Sequence, residues 1–428
     1  MRLLETGYEV RGHPSAWRNG GGWGIYNGFS MDFLGNAVKD ELRNGLKQTR
    51  LRLRLSQQDL ASMAGVSRQT IGGVESGQTS LSTTVALRLA KALGCRVEDL
   101  FWLDQEAAQV EAKPTQEMAV GEALRVTLAK IGGQWVAYPL VGADAFRVDL
   151  IPADGEAMRH GNRETVAVTL LDDPVNLLNT VVVAGCAPAM SLWARAAERW
   201  HPGLRVHLTF ANSMVALDRL MRGEVHIAGV HLYCPHTKTF NVPFVQQALQ
   251  GQTAVLINLG IWQEGMLVAP GNPKAIQSVA DLARPDVTLI NREPGSGSRH
   301  LLEQVLSAAA IAPQSVVGFD HVVHSHHDVA DAILAGEADV GMSAASVAEM
   351  FKLEFLPLRR SHYDLVTLQA YLDDPPVQHL LGTLGHRRVI SQLERLGGYD
   401  TRLTGEVVAT VEPTLPLGAS GLRGDRPS

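Results

Sequence analysis

Cysteine is scarce: Cys95, Cys186 and Cys234 are the only three in 428 residues, they stand far apart, and no CxxC pair occurs. This excludes a disulfide framework and the usual zinc spacings, and reads the thiols as small buried hydrophobes of a reducing compartment. No apolar run approaches the roughly 18 to 20 residues that cross a bilayer, and no basic-then-apolar leader opens the chain. A cytoplasmic protein with no membrane partner is therefore expected. Charge of one sign is lacking too: 38 Lys and Arg stand against 44 Asp and Glu, a net charge of -6. That excludes a protein coated in nucleic acid along its whole length, but not one locally basic domain.

What is present is globular in composition, 45% hydrophobic and 19% charged, and too long for one ordinary core. Residues 1–30 are rich in Gly and Trp without a usable period; they read as a disordered extension, or Met31 is the true start. Residues 31–104 carry a helical pattern with breaks at Ser56, Gly65, Gly77 and Gly94, predicting an all-α bundle of about five short helices. A polar linker is expected over 105–120. Over 121–176 the period changes to two, with Gly132-Gly133 as a hairpin signal, which predicts a small β-rich module. Alternating strands and helices over 177–408 predict α/β layers, and 409–428 read as a disordered tail.

Residues 55–77, LSQQDLASMAGVSRQTIGGVESG, are the most specific local signal. A helix-turn-helix needs a small residue where its helices touch, a residue tolerant of positive φ at the turn, and branched apolar anchors on the second helix; Ala61, Gly65, Ile71 and Val74 fill those places. Ser56 and Ser67 are placed to cap the two helices, with Asp59 and Thr70 three residues on. At the start of the second helix Arg68 can pair bidentately with guanine and Gln69 with adenine. Gln57, Ser67 and Thr70 are expected to complete the DNA contact on the phosphate side, with Lys47, Arg50, Arg52 and Arg54 as a basic run beside them.

The segment from about Val38 to Trp102 resembles the lambda-repressor-like, or xenobiotic-response-element, family of helix-turn-helix domains. The resemblance implies double-stranded DNA as a partner and a homodimer on paired half-sites. Gly72 and Gly73 depart from the family pattern: each costs a helix about 1 kcal/mol relative to Ala, and Gly73 lacks a side chain where relatives often read a base.

Beyond Thr180, strand ends lead repeatedly into helix starts: after residues 180–185 at Ala187 and Met190, after 204–210 at Asn212 and Ser213, and after 224–230 at His231. Such edges gather free N–H groups where ligands bind in open α/β folds. The layout recurs after Pro270, with the segment NREPGSGSR at 291–299 leading into a helix. Two lobes about a cleft form a closing clamp. This region resembles the periplasmic-binding-protein-like domain found beside helix-turn-helix domains and at the end of some molybdopterin biosynthesis proteins; Ser298 stands where relatives commonly have Thr, and Tyr363-Asp364 matches the family's return segment.

Ser296, Gly297, Ser298 and Arg299, with Arg292 of the same motif, are the leading candidates for ligand contact, through backbone approach, hydroxyl donors and a guanidinium. A helix entry turn with capping serines and a surface arginine is the plainer reading. The resemblance suggests an oxyanion such as molybdate or tungstate, while a small organic metabolite would use the same donors. His321, His324, His326 and His327 crowd together, but their spacing straddles a loop and a helix start, so no metal is expected; His326 and His327 are expected to line the cleft or meet solvent. No GxSxG order and no phosphate-binding loop occurs, so neither an enzyme nor a bound cofactor is expected. The leading expectation is a one-component regulator that binds DNA and senses a small molecule. The alternative is an intracellular binding or storage protein whose N-terminal module serves assembly.

Overall fold

The computed structural model describes residues 41–79, 81–104, 108–142, 145, 150–161 and 163–413. The expectations placed on 1–30 and 414–428 lie outside the described residues. The chain divides after residue 106 into two compact units.

Among the described residues of the first unit four helices, α1 (Leu46–Arg52), α2 (Gln57–Ala64), α3 (Arg68–Glu75) and α4 (Thr83–Leu93), are bracketed by a two-stranded ribbon of β1 (Glu41–Asn44) and β2 (Phe101–Asp104). Apolar residues at helical spacing, Leu60, Ala61 and Ala64, then Ile71 and Val74, then Ala86, Leu89, Ala90 and Leu93, turn inward to one core. Ser56, Ser67 and Ser82 cap their helices, and Gly65 and Gly94 end theirs at positive φ of 64° and 67°. The ribbon departs from the all-helical expectation. Four residues at each end are too short to show a period, and their ladder joins segments from opposite ends of the helical run.

The second unit opens with a closed five-stranded barrel of β3 (Gln109–Pro114), β4 (Ala123–Ile131), β5 (Gln134–Pro139), β6 (Gly155–Met158) and β7 (Val166–Leu170), in the order β3-β5-β4-β6-β7. Ile131 faces Gln134 across a two-residue loop in which Gly132 and Gly133 both have positive φ, as the tight hairpin requires. Within the expected linker, β3 is instead a barrel strand: it pairs parallel to β5 and antiparallel to β7, and without it the barrel has two open edges. A short helix, α5 (Pro174–Leu177), follows.

The first lobe contains β8 (Thr180–Gly185), α6 (Pro188–Trp200), β9 (Arg205–Phe210), α7 (Ser213–Met221) and β10 (Ile227–Val230), then the small ribbon β11 (Tyr233–Cys234) and β12 (Thr239–Phe240), and α8 (Val242–Ala248). The long strand β13 (Ala254–Val268) crosses to the second lobe, built from β14 (Leu289–Arg292), α9 (Gly297–Ala308), β15 (Val322–Val323), α10 (His326–Leu334), β16 (Val340–Ala344) and α11 (Ala345–Phe351). An equally long strand, β17 (Glu354–Leu368), returns to the first lobe. The chain continues with α12 (Pro375–Gly382), α13 (Arg387–Arg395), β18 (Tyr399–Asp400) and β19 (Val407–Val411). The main sheet runs β15-β14-β16-β13-β17-β10-β8-β9, with β18 and β19 also pairing to β13. One end of the β13–β17 ladder carries β10, from Ile227 opposite Thr367 to Val230 opposite Asp364; the other carries β16, from Glu264 opposite Ala344 to Val268 opposite Val340. The crossover between lobes thus falls near residues 258–264, where β13 is bulged. Because β19 pairs with β13, residues 409–411 belong to the sheet rather than to the expected tail.

Barrel and first lobe share one apolar core, in which Ala129, Ile131 and Val136 pack with Val182, Leu217 and Val366. Polar links reinforce it: the Tyr138 hydroxyl donates to the Glu224 carbonyl at 2.5 Å, Arg205 pairs with Asp154, and the His226 ring joins β8 to β4. No helix among the described residues is long and apolar enough to cross a membrane.

Candidate functional site

Two places carry chemistry, one in each unit. In the first, Arg68 and Gln69 open α3 and are exposed. Ser67 caps them: its Oγ accepts from the Thr70 N–H at 3.0 Å and lies 2.8 Å from Thr70 Oγ1, so the Thr70 hydroxyl is engaged within its own turn. The expected basic run is split. Lys47, Arg52 and Arg54 are exposed, but Arg50 is buried, donating from Nε and Nη2 to the Glu75 carboxylate at 2.6 and 3.0 Å and from Nη1 to the Leu55 carbonyl at 2.8 Å. Gln57 donates to the same carboxylate at 2.9 Å. Burial alone would raise the Glu75 carboxyl, but these bonds outweigh it and hold it below the usual carboxylate range. Arg50 and Gln57 thus tie α1 and α2 to the end of α3, and Arg50, buried in this pairing, is withdrawn from the basic run beside the expected DNA contact. Gly73 also has a packing reason: a Cβ there would lie 2.1 Å from Thr79 Oγ1, so the position faces the following turn.

In the second unit most of the expected ligand residues converge where the lobes meet, but their polar groups are largely spent on the protein. Asn212 caps α7 by accepting from Val215 N–H at 3.1 Å, and its amide donates to the Pro294 carbonyl of the opposite lobe at 3.3 Å. Ser213 Oγ accepts from the His231 N–H at 3.1 Å. Ser296 caps α9 and donates to the Glu293 carbonyl at 2.9 Å, while Ser298 points to Glu264 at 3.4 Å. Arg299 is bound to Glu303 at 2.9 Å and lies over the Phe319 ring. Gly297 makes room for the other lobe rather than for an anion, since a Cβ there would sit 2.2 Å from the His231 carbonyl oxygen. Arg292 is buried and its Nε and Nη2 hold Glu293 at 2.8 and 3.0 Å, but its Nη1 has no partner.

The open space lies to one side of that contact. A cleft of about 320 Å³ is lined from the first lobe by Cys186, Ala187 and Met190 and from the second by Ser325, His326 and His327. At its floor Cys186 Sγ lies 3.5 Å from His231 Nε2, and His231 Nδ1 lies 3.1 Å from Glu264 Oε1, an ion-pair distance outside hydrogen-bond alignment. His326 Nδ1 is 2.9 Å from Ser343 Oγ, leaving its Nε2 buried and unpartnered. One ligand atom each from Cys186, His231 and His326 lie within 4.8 Å of one another. Trp262 packs edge-on against the His231 and His326 rings and Tyr363 stacks on His231, which keeps the cluster buried beside the cleft.

Electrostatics separate the two imidazoles. Burial would lower His231, but the Glu264 carboxylate and Cys186 outweigh it and push it up to about 10. Burial, with Arg292 and His231 adding to it, drives His326 well below its ordinary value, which favours a neutral ring. Glu264 is pushed up by burial and pulled down further by His231, which leaves it ionised. A Cys–His–carboxylate set can also serve nucleophilic catalysis, which needs N–H donors for an oxyanion. Here the N–H groups of Cys186 and Ala187 both donate to the Tyr363 hydroxyl, at 3.2 and 3.3 Å.

Reading from sequence missed Cys186 and Glu264 as site residues and took His326 as cleft lining only. The signal for Cys186 was present, because it directly follows the buried strand 180–185 at the edge where Ala187 and Met190 were singled out. Glu264 lies within an apolar strand and carried none.

Comparison with known proteins places both units. Residues 46–100 match the helix-turn-helix family and residues 194–385 the PBP superfamily domain. The chain is 38% identical over 65 residues to the uncharacterized HTH-type transcriptional regulator YgzD of Bacillus subtilis, covering 15% of this chain and 98% of that one. It is 35% identical over 199 residues to the uncharacterized protein YvgK of the same organism, which covers 46% of this chain, and it spans 64% of that protein's length. An ABC-type phosphate transport receptor from Vibrio cholerae aligns with 51% of this chain and 98% of its own at 14% identity and a TM-score of 0.36. The chain therefore belongs to the helix-turn-helix family of regulators and joins that domain to a periplasmic-binding-protein-like one.

Proposed function

We propose that the protein is a one-component transcription regulator in which a small solute bound between the lobes of the second unit alters operator binding by the first. The observation that carries this reading is the exposed Arg68–Gln69 pair at a capped helix start in the same chain as a two-lobed cleft floored by unpartnered buried polar atoms. One such helix makes few base contacts, which favours a homodimer on half-sites about one helical turn apart. The spent N–H groups beside Cys186 favour binding over turnover. A steep fall of DNA affinity with salt, together with selection of a preferred duplex, is the expected outcome of binding titrations. Absence of DNA binding at low salt would leave the intracellular binding or storage reading in its place.

An oxyanion such as molybdate or tungstate is the ligand that Arg292 favours, through its buried Nη1 without a partner. Against it stand two carboxylates, Glu264 and Glu293, in the same interior. Thermal unfolding with molybdate, tungstate and sulfate decides the matter, because a ligand of the folded state raises the melting temperature by mass action. No shift with any of the three rejects the oxyanion and leaves the regulator reading standing.

A further inference from the structure

The geometry points to a divalent transition-metal site of the zinc class at Cys186, His231 and His326, closing the clamp by joining ligands from both lobes. The inference rests on the cleft reading above and names its ligand. Cys186 follows β8 and His231 follows β10, both in the first lobe; His326 opens α10 in the second. Cys186 Sγ and His231 Nε2 stand 3.5 Å apart, about the S···N spacing that a tetrahedral centre with Zn–S of about 2.3 Å and Zn–N of about 2.0 Å imposes, and the His326 ligand atom lies within 4.8 Å of both, so that this second-lobe ring has to move in as the ion binds.

Three further observations fit a metal better than a packed core. His326 Nε2 is buried with no partner, a costly arrangement unless something binds there. Each imidazole has an oxygen beside its other nitrogen: His326 Nδ1 is hydrogen-bonded to Ser343 at 2.9 Å, as ligating histidines are oriented, and His231 Nδ1 lies at ion-pair distance from Glu264, 3.1 Å. Cys186 and His326 line the cleft, so an ion has a path in. Charge balances as well. With Arg292 matched by Glu293, a thiolate at Cys186 and the Glu264 carboxylate together offset a dication, any protons on the ligand atoms being released as the ion enters. One thiolate with two imidazoles selects a borderline-soft late first-row ion over magnesium or calcium.

The full-length protein, stripped of metal under reducing anaerobic conditions, is titrated with Co(II) as the zinc analogue and then with Zn(II). The wild type is expected to show the d–d bands of tetrahedral cobalt and a thiolate-to-cobalt charge-transfer band, both abolished by Zn(II). Cys186→Ser should lose the charge-transfer band and a Cys95→Ser/Cys234→Ser double variant should keep it, since those thiols lie elsewhere. Glu264→Gln, which removes a positioning carboxylate and no ligand, should weaken Zn(II) binding by roughly 10- to 100-fold with the charge-transfer band retained. Absence of a charge-transfer band in the wild type, or its survival in Cys186→Ser, overturns the inference. DNA binding by the metal-free protein is scored separately, so that a regulator without this metal site and a metal protein without DNA binding give different results.

Discussion

At the scale of single residues, the helix-turn-helix unit separates side chains that read DNA from those that hold the reader in place. On the proposed reading Arg68 belongs to the first kind. Arg68→Ala should weaken binding to the preferred duplex by about 1 to 3 kcal/mol while changing binding to random DNA far less, in parallel gel-shift titrations. Equal losses on both would remove its base-reading role. Glu75 belongs to the second kind: Glu75→Ala leaves the Arg50 guanidinium buried without its carboxylate, and the unit should lose about 3 kcal/mol or more in thermal unfolding. The distinction was only half legible in the sequence. Arg50 sits among exposed basic residues, and its partner lies 25 positions away, so only the packing of α1 against α3 reveals it as structural. The same limit hid Glu264, whose meaning comes wholly from the His231 ring opposite.

At the scale of elements, helix caps and strand ends were readable because they are local chemistry. Ser56 and Ser67 each cap the helix that the sequence assigns to them, and Gly132-Gly133 makes the hairpin. Elements that depend on distant partners were not readable: β1 and β2, β3 and β19 are short and acquire strand character only from the ladders they join. The two glycines of α3 make the contrast testable. Around Gly72 the nearest atom to an added Cβ is Gln57 Nε2 at 3.9 Å, so Gly72→Ala should stabilise the helix by about 1 kcal/mol. Gly73→Ala meets Thr79 and should destabilise instead, as differential scanning calorimetry of the two variants would show. The barrel-to-lobe seam carries a pH dependence. His226 accepts from the Val182 N–H at 3.0 Å and faces the Lys130 carbonyl at 3.2 Å, and burial pushes its pKa down to about 4. The unfolded chain binds that proton more readily, so the contribution is full above about pH 6.5 and fades as pH falls toward about 4, by up to about 3 kcal/mol. His226→Asn should lower stability at neutral pH and flatten its fall between those limits; an unchanged slope would deny the seam this role.

At the scale of the whole molecule, the chain joins two compact units, and the proposed function needs them coupled. The lobes meet through Gly297 against His231, and the interior left beside that contact gathers a thiol, two imidazoles and a carboxylate rather than the hydroxyl-lined anion cradle that the GSGS run suggests. Family resemblance therefore carried the architecture further than the ligand, because lobes are set by repeated strand–helix order and a ligand by which side chains remain unpaired after packing. A solute can control transcription only if it binds the DNA-competent and incompetent states with different affinity. The direct measurement is the dissociation constant of the full-length protein for a duplex selected from random sequence, by fluorescence anisotropy at fixed salt, with and without saturating Zn(II). The account predicts a change of about fivefold or more, absent in Cys186→Ser. An identical constant in both conditions, with the metal spectroscopically shown to be bound, would contradict it.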